Sequence, residues 1–284
     1  MFPPDQYQLL DFGDGRRLEN FAGVVLDRPC PAAERLVRAT PQPWAAAAAR
    51  FERNSDDQGN WLSQRELPQC WTIAWNSLRL ELKPTQFGHL GIFPEQAANW
   101  DWIARQVRAA AAPLRVLNLF AYTGGSTLAA AAAGAEVTHV DSARNIVAWA
   151  RRNAELSGLS AAPIRWIAED ASKFVRRELR RNNRYNAVIL DPPSYGHGLH
   201  GEVWRLSQHL PELLEMCSRL MAGSPRFLLV SAHTPGFGPD RLREMLRESM
   251  PAAGGGQVWA EELQLRSITG RVLPSGTAAR WLPK

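Results

Sequence analysis

The chain of 284 residues contains little cysteine and no long apolar run. Its three cysteines, Cys30, Cys70 and Cys217, lie far apart and form neither a disulfide framework nor a zinc-binding pattern. No apolar stretch reaches the roughly 18 residues of a membrane helix. Residues 1–5 lack the basic and apolar regions of a signal peptide. These absences predict a cytoplasmic protein with no bound metal and no membrane contact.

What is present is an ordinary globular composition with a basic balance. The apolar fraction is 45%, the charged fraction is 21% and the net charge is +5. A chain of this length can bury a large core and a smaller appendage. The positive charge is compatible with RNA as a partner, although many proteins without a nucleic-acid role have a similar charge.

The pattern of predicted secondary structure changes near residue 85. Residues 1–85 contain turn signals between short strand-like runs, which predict a small β-rich amino-terminal lobe whose tryptophans form its core. Residues 86–284 alternate helical and strand patterns. We therefore predict an α/β domain with a doubly wound, Rossmann-like sheet over 86–284.

Polar residues follow several of the predicted strands. The runs at 114–120, 136–140, 164–167 and 185–190 are each followed by a glycine turn or an acidic residue. The carboxyl ends of parallel strands line the ligand crevice of an open α/β sheet. The spacing therefore predicts a nucleotide-like ligand site at this edge.

A glycine turn follows the first of these strands. It reads Ala-Tyr-Thr-Gly-Gly-Ser at 121–126, where glycines allow the backbone to approach a ligand and helix N–H groups face it. A plain tight turn is the alternative. The dinucleotide fingerprint Gly-x-Gly-x-x-Gly is absent, which argues against a nicotinamide oxidoreductase.

Acidic residues end the next two strands. Asp141 is placed to accept both hydroxyls of a ribose, and Asp170 is placed to accept the amine of an adenine. Both residues precede predicted helices, so an N-cap role is the competing interpretation for each.

The segment 191–195 reads Asp-Pro-Pro-Ser-Tyr and is the sharpest signal in the chain. Its two prolines fix the backbone directly after a buried strand and remove two N–H donors. The carbonyls and the Asp191 carboxylate would then form a rigid set of acceptors, with Tyr195 beside it. Such an array can hold an amine or another flat polar group, so an active-site role is predicted.

Together these segments give the chain a recognisable signature. This signature consists of five short segments, which are Gly-Ile-Phe-Pro-Glu-Gln at 91–96, Leu-Asn-Leu-Phe-Ala-Tyr-Thr-Gly-Gly-Ser at 117–126, Val-Asp-Ser at 140–142, Asn-Ala-Glu-Leu-Ser-Gly at 153–158 and Asp-Pro-Pro-Ser at 191–194. They resemble the class I S-adenosylmethionine-dependent methyltransferases, and more narrowly the branch with the cytosine carbon-5 methyltransferases of large ribosomal RNA. The resemblance implies a Rossmann-like seven-stranded sheet over 86–284.

One departure from that branch concerns its nucleophile. Carbon-5 methylation of cytosine needs a cysteine thiolate that first adds to the ring. The branch carries this thiol just after the strand that follows Asp-Pro-Pro, where this chain has Ser231, Ala232 and His233. We therefore predict methyl transfer to a nitrogen or oxygen, with RNA, and ribosomal RNA in particular, as the favoured substrate.

The predicted site has two parts. The catalytic candidates are Asp191, Pro192, Tyr195 and His233. The candidates for binding S-adenosylmethionine are Phe93, Glu95, Gln96, Tyr122, Thr123, Gly124, Gly125, Ser126, Asp141, Ser142, Asp170 and Asp191. Two other functions stay open, namely a methyltransferase of a small molecule or protein, and a non-catalytic RNA-binding scaffold with a degenerate cofactor pocket.

A basic segment lies at 173–184. It holds six bases and one acid, so its charge excess equals that of the whole chain. A solvated helix face is the default interpretation, and a stripe that contacts RNA phosphates is the alternative.

Overall fold

The computed structural model describes residues 2–54, 58–197, 203–250 and 255–284. The chain divides into two compact units. The first unit comprises Met1–Ala97 and Gln264–Ser275, and the second comprises Ala98–Leu263 and Gly276–Lys284.

The first unit is built from short β-strands. These are β1 (Tyr7–Gly13), β2 (Arg16–Phe21), β3 (Val24–Pro29), β4 (Ala49–Arg53), β5 (Gly59–Ser63), β6 (Trp71–Trp75) and β7 (Leu78–Leu82). Strands β1 to β5 form one sheet in sequential order, and β6 pairs with β7 as a separate hairpin. Trp75 is buried in the core of the unit, as are Phe12, Phe21 and Phe51. The predicted β-rich amino-terminal region is confirmed.

The remaining elements alternate as the sequence predicts. The strands are β8 (Arg115–Leu119), β9 (Glu136–Asp141), β10 (Ile164–Ala168), β11 (Ala187–Leu190), β12 (Tyr195–His197), β13 (Val203–Arg205), β14 (Phe227–Ala232), β15 (Gln257–Arg266) and β16 (Val272–Leu282). The helices are α1 (Ala97–Arg108), α2 (Gly125–Ala132), α3 (Arg144–Leu156), α4 (Ala171–Arg180), α5 (Leu206–Leu220) and α6 (Pro239–Ser249).

Seven of these strands form one sheet in the order β10-β9-β8-β11-β14-β16-β15. Strands β8, β9, β10, β11 and β14 run parallel, and β16 is antiparallel to β14. The Rossmann-like, seven-stranded prediction is confirmed. The chain order reverses between β8 and β11, and such a switch point opens a crevice at the carboxyl ends of the strands.

Apolar side chains cover both faces of this sheet, which is why its strands read as continuous apolar runs. One face carries Phe174 of α4 and a row of leucines from α5, and the other carries Trp102 and Ile103 of α1. Within the described residues, no helix is long and apolar enough to cross a membrane.

Candidate functional site

The turn between β8 and α2 is held in an unusual backbone conformation. Phe120, Tyr122 and Gly124 have positive φ angles of 54°, 48° and 92°, and for a residue other than glycine this conformation costs on the order of 1–2 kcal/mol. Gly124 is the N-cap of α2. A Cβ on Gly125 would lie 2.3 Å from the Trp100 ring. The two glycines are therefore explained by backbone conformation and by packing, respectively.

A buried polar network lies beneath this turn. The Asn118 side-chain amide donates to the Thr127 hydroxyl at 2.9 Å, and that hydroxyl lies 2.9 Å from Nδ1 of His139. Asn153 donates to the carbonyl of Thr123, also at 2.9 Å. Burial, with a smaller contribution from the nearby Arg151, lowers the pKa of His139 to about 3. His139 is therefore neutral at physiological pH, and the network ties β8, β9, α2 and α3 to the turn.

Asp141 at the end of β9 is fixed by backbone donors. Its Oδ2 accepts from the N–H of Tyr122 at 2.9 Å, and its Oδ1 accepts from the N–H of Ala143 at 3.0 Å. Burial raises the pKa of this carboxyl above its ordinary value, against the opposing effect of these donors. An ionised carboxylate has about four acceptor sites. The backbone N–H of Ser142 also acts on this carboxylate, which keeps acceptor capacity beyond these donors.

Asp141 lines a pocket together with two other predicted residues, Ser142 and Asp170. The remaining lining residues are Phe120, Val140, Glu169, Ala171, Pro193, Gly196 and Trp204. Asp170 is the N-cap of α4, and its Oδ1 accepts from the N–H of Lys173 at 2.8 Å. The competing N-cap interpretation of Asp170 thus holds, while the residue also faces the pocket.

Trp204 is a pocket residue that the sequence analysis missed. Its indole N–H donates to the carbonyl of Pro193 at 2.8 Å, and its ring lies 4.8 Å from that of Phe120. The side chain thereby joins the pocket to the Asp-Pro-Pro segment. An isolated tryptophan in a short strand matches no motif, so nothing in the sequence pointed to it.

Asp191, Ser231 and His233 lie together at the carboxyl ends of β11 and β14. The Ser231 hydroxyl donates to Oδ1 of Asp191 at 2.6 Å, and Nε2 of His233 lies 3.5 Å from the same oxygen. Gly276 leaves room for the imidazole, because a Cβ there would lie 2.6 Å from Nδ1 of His233. Asp191 and His233 were predicted from the sequence, whereas Ser231 was recognised only as part of the strand end.

The rest of the Asp-Pro-Pro segment differs in part from the expected open set of acceptors. The carbonyl of Pro193 is occupied by Trp204, and the carbonyl of Ser194 accepts from the N–H of Leu206 at 3.1 Å. Pro192 is buried, and Tyr195 is 51% exposed. The carboxylate of Asp191 is therefore the principal charged acceptor of the segment.

The remaining predicted residues are buried or half-buried. Phe93, Glu95 and Gln96 belong to the first unit, where residues 94–96 form a 3₁₀ turn and both polar side chains are buried. Thr123 is buried, and Ser126 is half-buried in the first turn of α2.

Cys217 does not provide a thiolate at this cluster. Cys217 is fully buried in α5, and its burial raises the pKa of the thiol well above the usual range. Cys30 and Cys70 belong to the first unit. Since the thiolate is the nucleophilic form, the buried Cys217 is a packing residue. Within the described residues, no group of three or more ligands could hold a metal ion.

Comparison with known proteins decides the family. A family model for S-adenosylmethionine-dependent methyltransferases matches residues 32–254. The chain belongs to this family. A crystal structure of the SAM-dependent methyltransferase from Agrobacterium tumefaciens is 39% identical, covers 98% of this chain and 91% of its own, and superposes with a TM-score of 0.92.

Curated relatives match shorter stretches. The ribosomal RNA large subunit methyltransferase I of Aeromonas salmonicida is 34% identical over 110 residues, or 38% of this chain and 27% of the relative. The ribosomal RNA large subunit methyltransferase K/L of Pseudomonas paraeruginosa is 26% identical over 220 residues, or 74% of this chain and 29% of the relative. The chain thus spans less than a third of the length of these relatives.

The residues at the pocket fit S-adenosylmethionine. The Asp141 carboxylate keeps acceptor capacity beyond its backbone donors, which suits the hydroxyls of a ribose. Phe120 and Trp204 supply flat apolar walls beside Asp170. The chemistry of the site therefore agrees with the family, and S-adenosylmethionine is the methyl donor.

Proposed function

We propose that this methyltransferase transfers the methyl group to a nitrogen or oxygen of RNA, with ribosomal RNA favoured. The names of the relatives support an RNA substrate, and the net charge of +5 is compatible with it. The acceptor atom is inferred from the cluster of Asp191, Ser231 and His233.

The proposed cofactor contacts follow the carboxyl edge of the sheet. Asp141 binds the ribose, Asp170 and Ser142 lie at the adenosine end, and the segment 122–126 holds the methionine end. Two features support this arrangement, namely the remaining acceptor capacity of the Asp141 carboxylate and the hydrogen bond that it accepts from the N–H of Tyr122. The roles of Phe93, Glu95 and Gln96 at the methionine end are part of the same proposal.

S-adenosylmethionine supplies a methyl group that is already activated by its sulfonium, so the protein has to align and deprotonate the acceptor. In the proposed mechanism the Asp191 carboxylate accepts a hydrogen bond from the N–H or O–H that is to be methylated. His233, at 3.5 Å from that carboxylate, is placed to take the proton on. Pro192 and Tyr195 shape the acceptor slot.

The single observation that carries this function is the composition of that cluster. The Ser231 hydroxyl and the His233 imidazole, in the segment where the resembling carbon-5 branch would carry its cysteine, both lie beside the Asp191 carboxylate. These groups can remove a proton from a nitrogen or oxygen nucleophile, whereas cytosine carbon 5 requires prior addition of a thiolate.

A labelled-methyl assay tests the proposal. Total RNA, total cell protein and a small-metabolite extract are incubated in parallel with the enzyme and tritiated S-adenosylmethionine. We expect label in RNA, and digestion to nucleosides should place it on nitrogen or oxygen. Label in protein or metabolites alone would reject RNA as the acceptor. Label on cytosine carbon 5 would reject a nitrogen or oxygen as the methylated atom.

A further inference from the structure

The amino ends of the parallel strands carry a row of arginines. Arg115 begins β8 and Arg226 directly precedes β14. Asn186 connects them, since its N–H donates to the Arg115 carbonyl at 2.8 Å and its carbonyl accepts from the N–H of Arg226 at 2.7 Å. The three residues therefore occupy paired positions in the register of the neighbouring strands β8, β11 and β14. With strands about 4.8 Å apart, the backbones of the two arginines are separated by roughly 10 Å.

Arg165 extends this row. Arg165 of β10 pairs with Thr138 of β9 in the parallel register, and Thr138 pairs with Leu117 of β8. Leu117 is two residues beyond Arg115, and residues two apart on a strand share a face. Arg165 and Arg115 therefore lie on the same face of the sheet.

Two helices end at this edge and add further arginines. The N–H of Tyr185 donates to the carbonyl of Leu220, the last residue of α5, at 3.1 Å. Arg219 therefore lies at the edge, and so does Arg184, which precedes Tyr185. Arg181 is the C-cap of α4. The amino-edge patch consists of Arg115, Arg165, Arg181, Arg184, Arg219 and Arg226, all exposed.

The patch includes a groove of about 400 Å³ that is lined by Arg115, Arg165, Glu136 and Tyr185, among others. The guanidinium carbon of Arg115 lies 5.4 Å from the ring centroid of Tyr185, and that of Arg165 lies 5.9 Å from Phe174. Arginine guanidinium groups are attracted to aromatic faces and stack on them. Their planar fork also matches the oxygens of a phosphate.

Most of these arginines form no ion pair with a described acid, although Glu136 is paired with Arg115 in the register of β8 and β9. Arg115, Arg184 and Arg226 form no ion pair with another described residue, and Arg165 approaches only the buried Glu178, at 4.0 Å. Arginines near helix C-termini can be explained by the helix dipole. That explanation does not apply to Arg115, Arg165 and Arg226, which lie in or beside strands.

By contrast, the arginines of 173–184 nearest the cofactor pocket are already paired. Arg177 contacts Glu169 at 2.6 Å, and Arg176 contacts Glu212 at 2.8 Å. The charge excess of that segment is thus available mainly at its carboxyl end, which belongs to the amino-edge patch.

We propose that the amino-edge patch binds the phosphate backbone of RNA, as a docking surface distinct from the methyl-transfer cluster. This inference rests on the proposed RNA substrate. Strand β8 has five residues, so the two edges lie roughly 17 Å apart.

The test compares two triple variants of the full chain. Arg115, Arg184 and Arg226 are changed to Gln in the edge variant. Arg241, Arg243 and Arg247 are changed to Gln in the control variant. The control removes the same charge from α6, where the arginines alternate with Asp240, Glu244 and Glu248. Binding of a fluorescent 20-nucleotide single-stranded RNA is followed by anisotropy between 50 and 200 mM KCl, and calorimetry with S-adenosylmethionine confirms that each protein is folded.

We expect the edge variant to bind this RNA roughly 100-fold more weakly at 0.1 M salt. The slope of log K against log salt should be smaller in magnitude by about 2, because about 0.7 counterions are released per contacted phosphate of a single strand and three arginines are removed. The control variant should stay within about threefold of the unmodified protein. Equal affinity and slope for the edge variant would overturn the inference.

The proposed function and the docking surface can fail separately. If RNA is methylated but the edge variant binds it normally, only the docking surface is wrong. If the unmodified protein does not bind RNA at 50 mM KCl but binds poly-L-glutamate, the patch serves an acidic protein instead and the inference is overturned. If neither RNA binding nor RNA methylation occurs, the RNA substrate itself is wrong.

Discussion

The two edges of the seven-stranded sheet differ in how they hold charge. At the carboxyl edge the charged groups are half-buried acids fixed by donors: Asp141 by backbone N–H groups, Asp170 by the N–H of Lys173 and Asp191 by Ser231. At the amino edge they are exposed arginines, and two of them rest on aromatic rings. The first arrangement is preorganised for a small ligand and a reacting atom, whereas the second suits a large, flexible polyanion.

This difference predicts which measurement each edge controls. Changes at the carboxyl edge should alter the rate of methyl transfer or the affinity for the cofactor, with little effect on the salt dependence of RNA binding. Changes at the amino edge should have the opposite pattern. A variant at one edge that produced the effect expected for the other edge would contradict this assignment of roles.

The largest effect is expected at Asp191. Replacing Asp191 by Ala removes the acceptor at the centre of the cluster, and loss of one preorganised contact often costs about 100-fold or more in rate. The rate is measured by single-turnover methyl transfer, and RNA affinity and its salt slope should stay unchanged. Asp240→Ala, which removes an exposed carboxylate on α6, is the matched control. A rate for Asp191→Ala within threefold of the control would remove Asp191 from the reaction.

Asp141 should govern cofactor affinity. Asp141→Ala removes charge-assisted hydrogen bonds worth on the order of 2–3 kcal/mol, which corresponds to roughly 30- to 150-fold in the Kd for S-adenosylmethionine. Calorimetry gives the Kd, and circular dichroism shows whether the turn with Tyr122 still folds. Unchanged affinity in a folded variant would contradict the proposed ribose contact.

Much of this fold could be predicted from the sequence because its signals are local. Buried parallel strands read as apolar runs, and the segments after them contain the acids. The structure places Asp170 at the same pocket as Asp141 and Ser142, although Asp170 follows a different strand. Asp191 and His233 also lie together, which follows from the neighbouring positions of β11 and β14.

The remaining features depend on three-dimensional register. The amino-edge row needs Arg115, Asn186 and Arg226 to be level across three strands, and a sequence does not give the order of strands. The network of Asn118, Thr127 and His139 was missed because polar residues within buried strands have no characteristic pattern. Local glycine rules likewise could not show that Gly125 makes room for Trp100.

A smaller effect is expected at Trp204, where the hydrogen bond and the ring of the side chain can be tested separately. Trp204→Phe keeps a ring beside Phe120 but removes the hydrogen bond to the Pro193 carbonyl. One such bond contributes about 0.5–1.5 kcal/mol, so we expect kcat to fall about two- to tenfold while the Kd for S-adenosylmethionine stays within twofold. Trp204→Ala, which also removes the pocket wall, should weaken both. Equal losses in Kd for the two variants would show that the hydrogen bond does not act separately from the ring.

The smallest effect is expected when the cysteines are removed. Cys30, Cys70 and Cys217 changed together to Ala should leave the rate of methyl transfer within roughly tenfold, because the segment with Ser231 and His233 beside Asp191 holds no thiol, and carbon-5 methylation would need a thiolate. Alanine is preferred to serine at Cys217, since a hydroxyl buried without a partner would destabilise the core. Calorimetry with S-adenosylmethionine shows that the variant is folded. A folded, cofactor-binding variant without activity would mean that a thiol takes part in the reaction, and restoring Cys217 alone would then show whether opening of α5 exposes it.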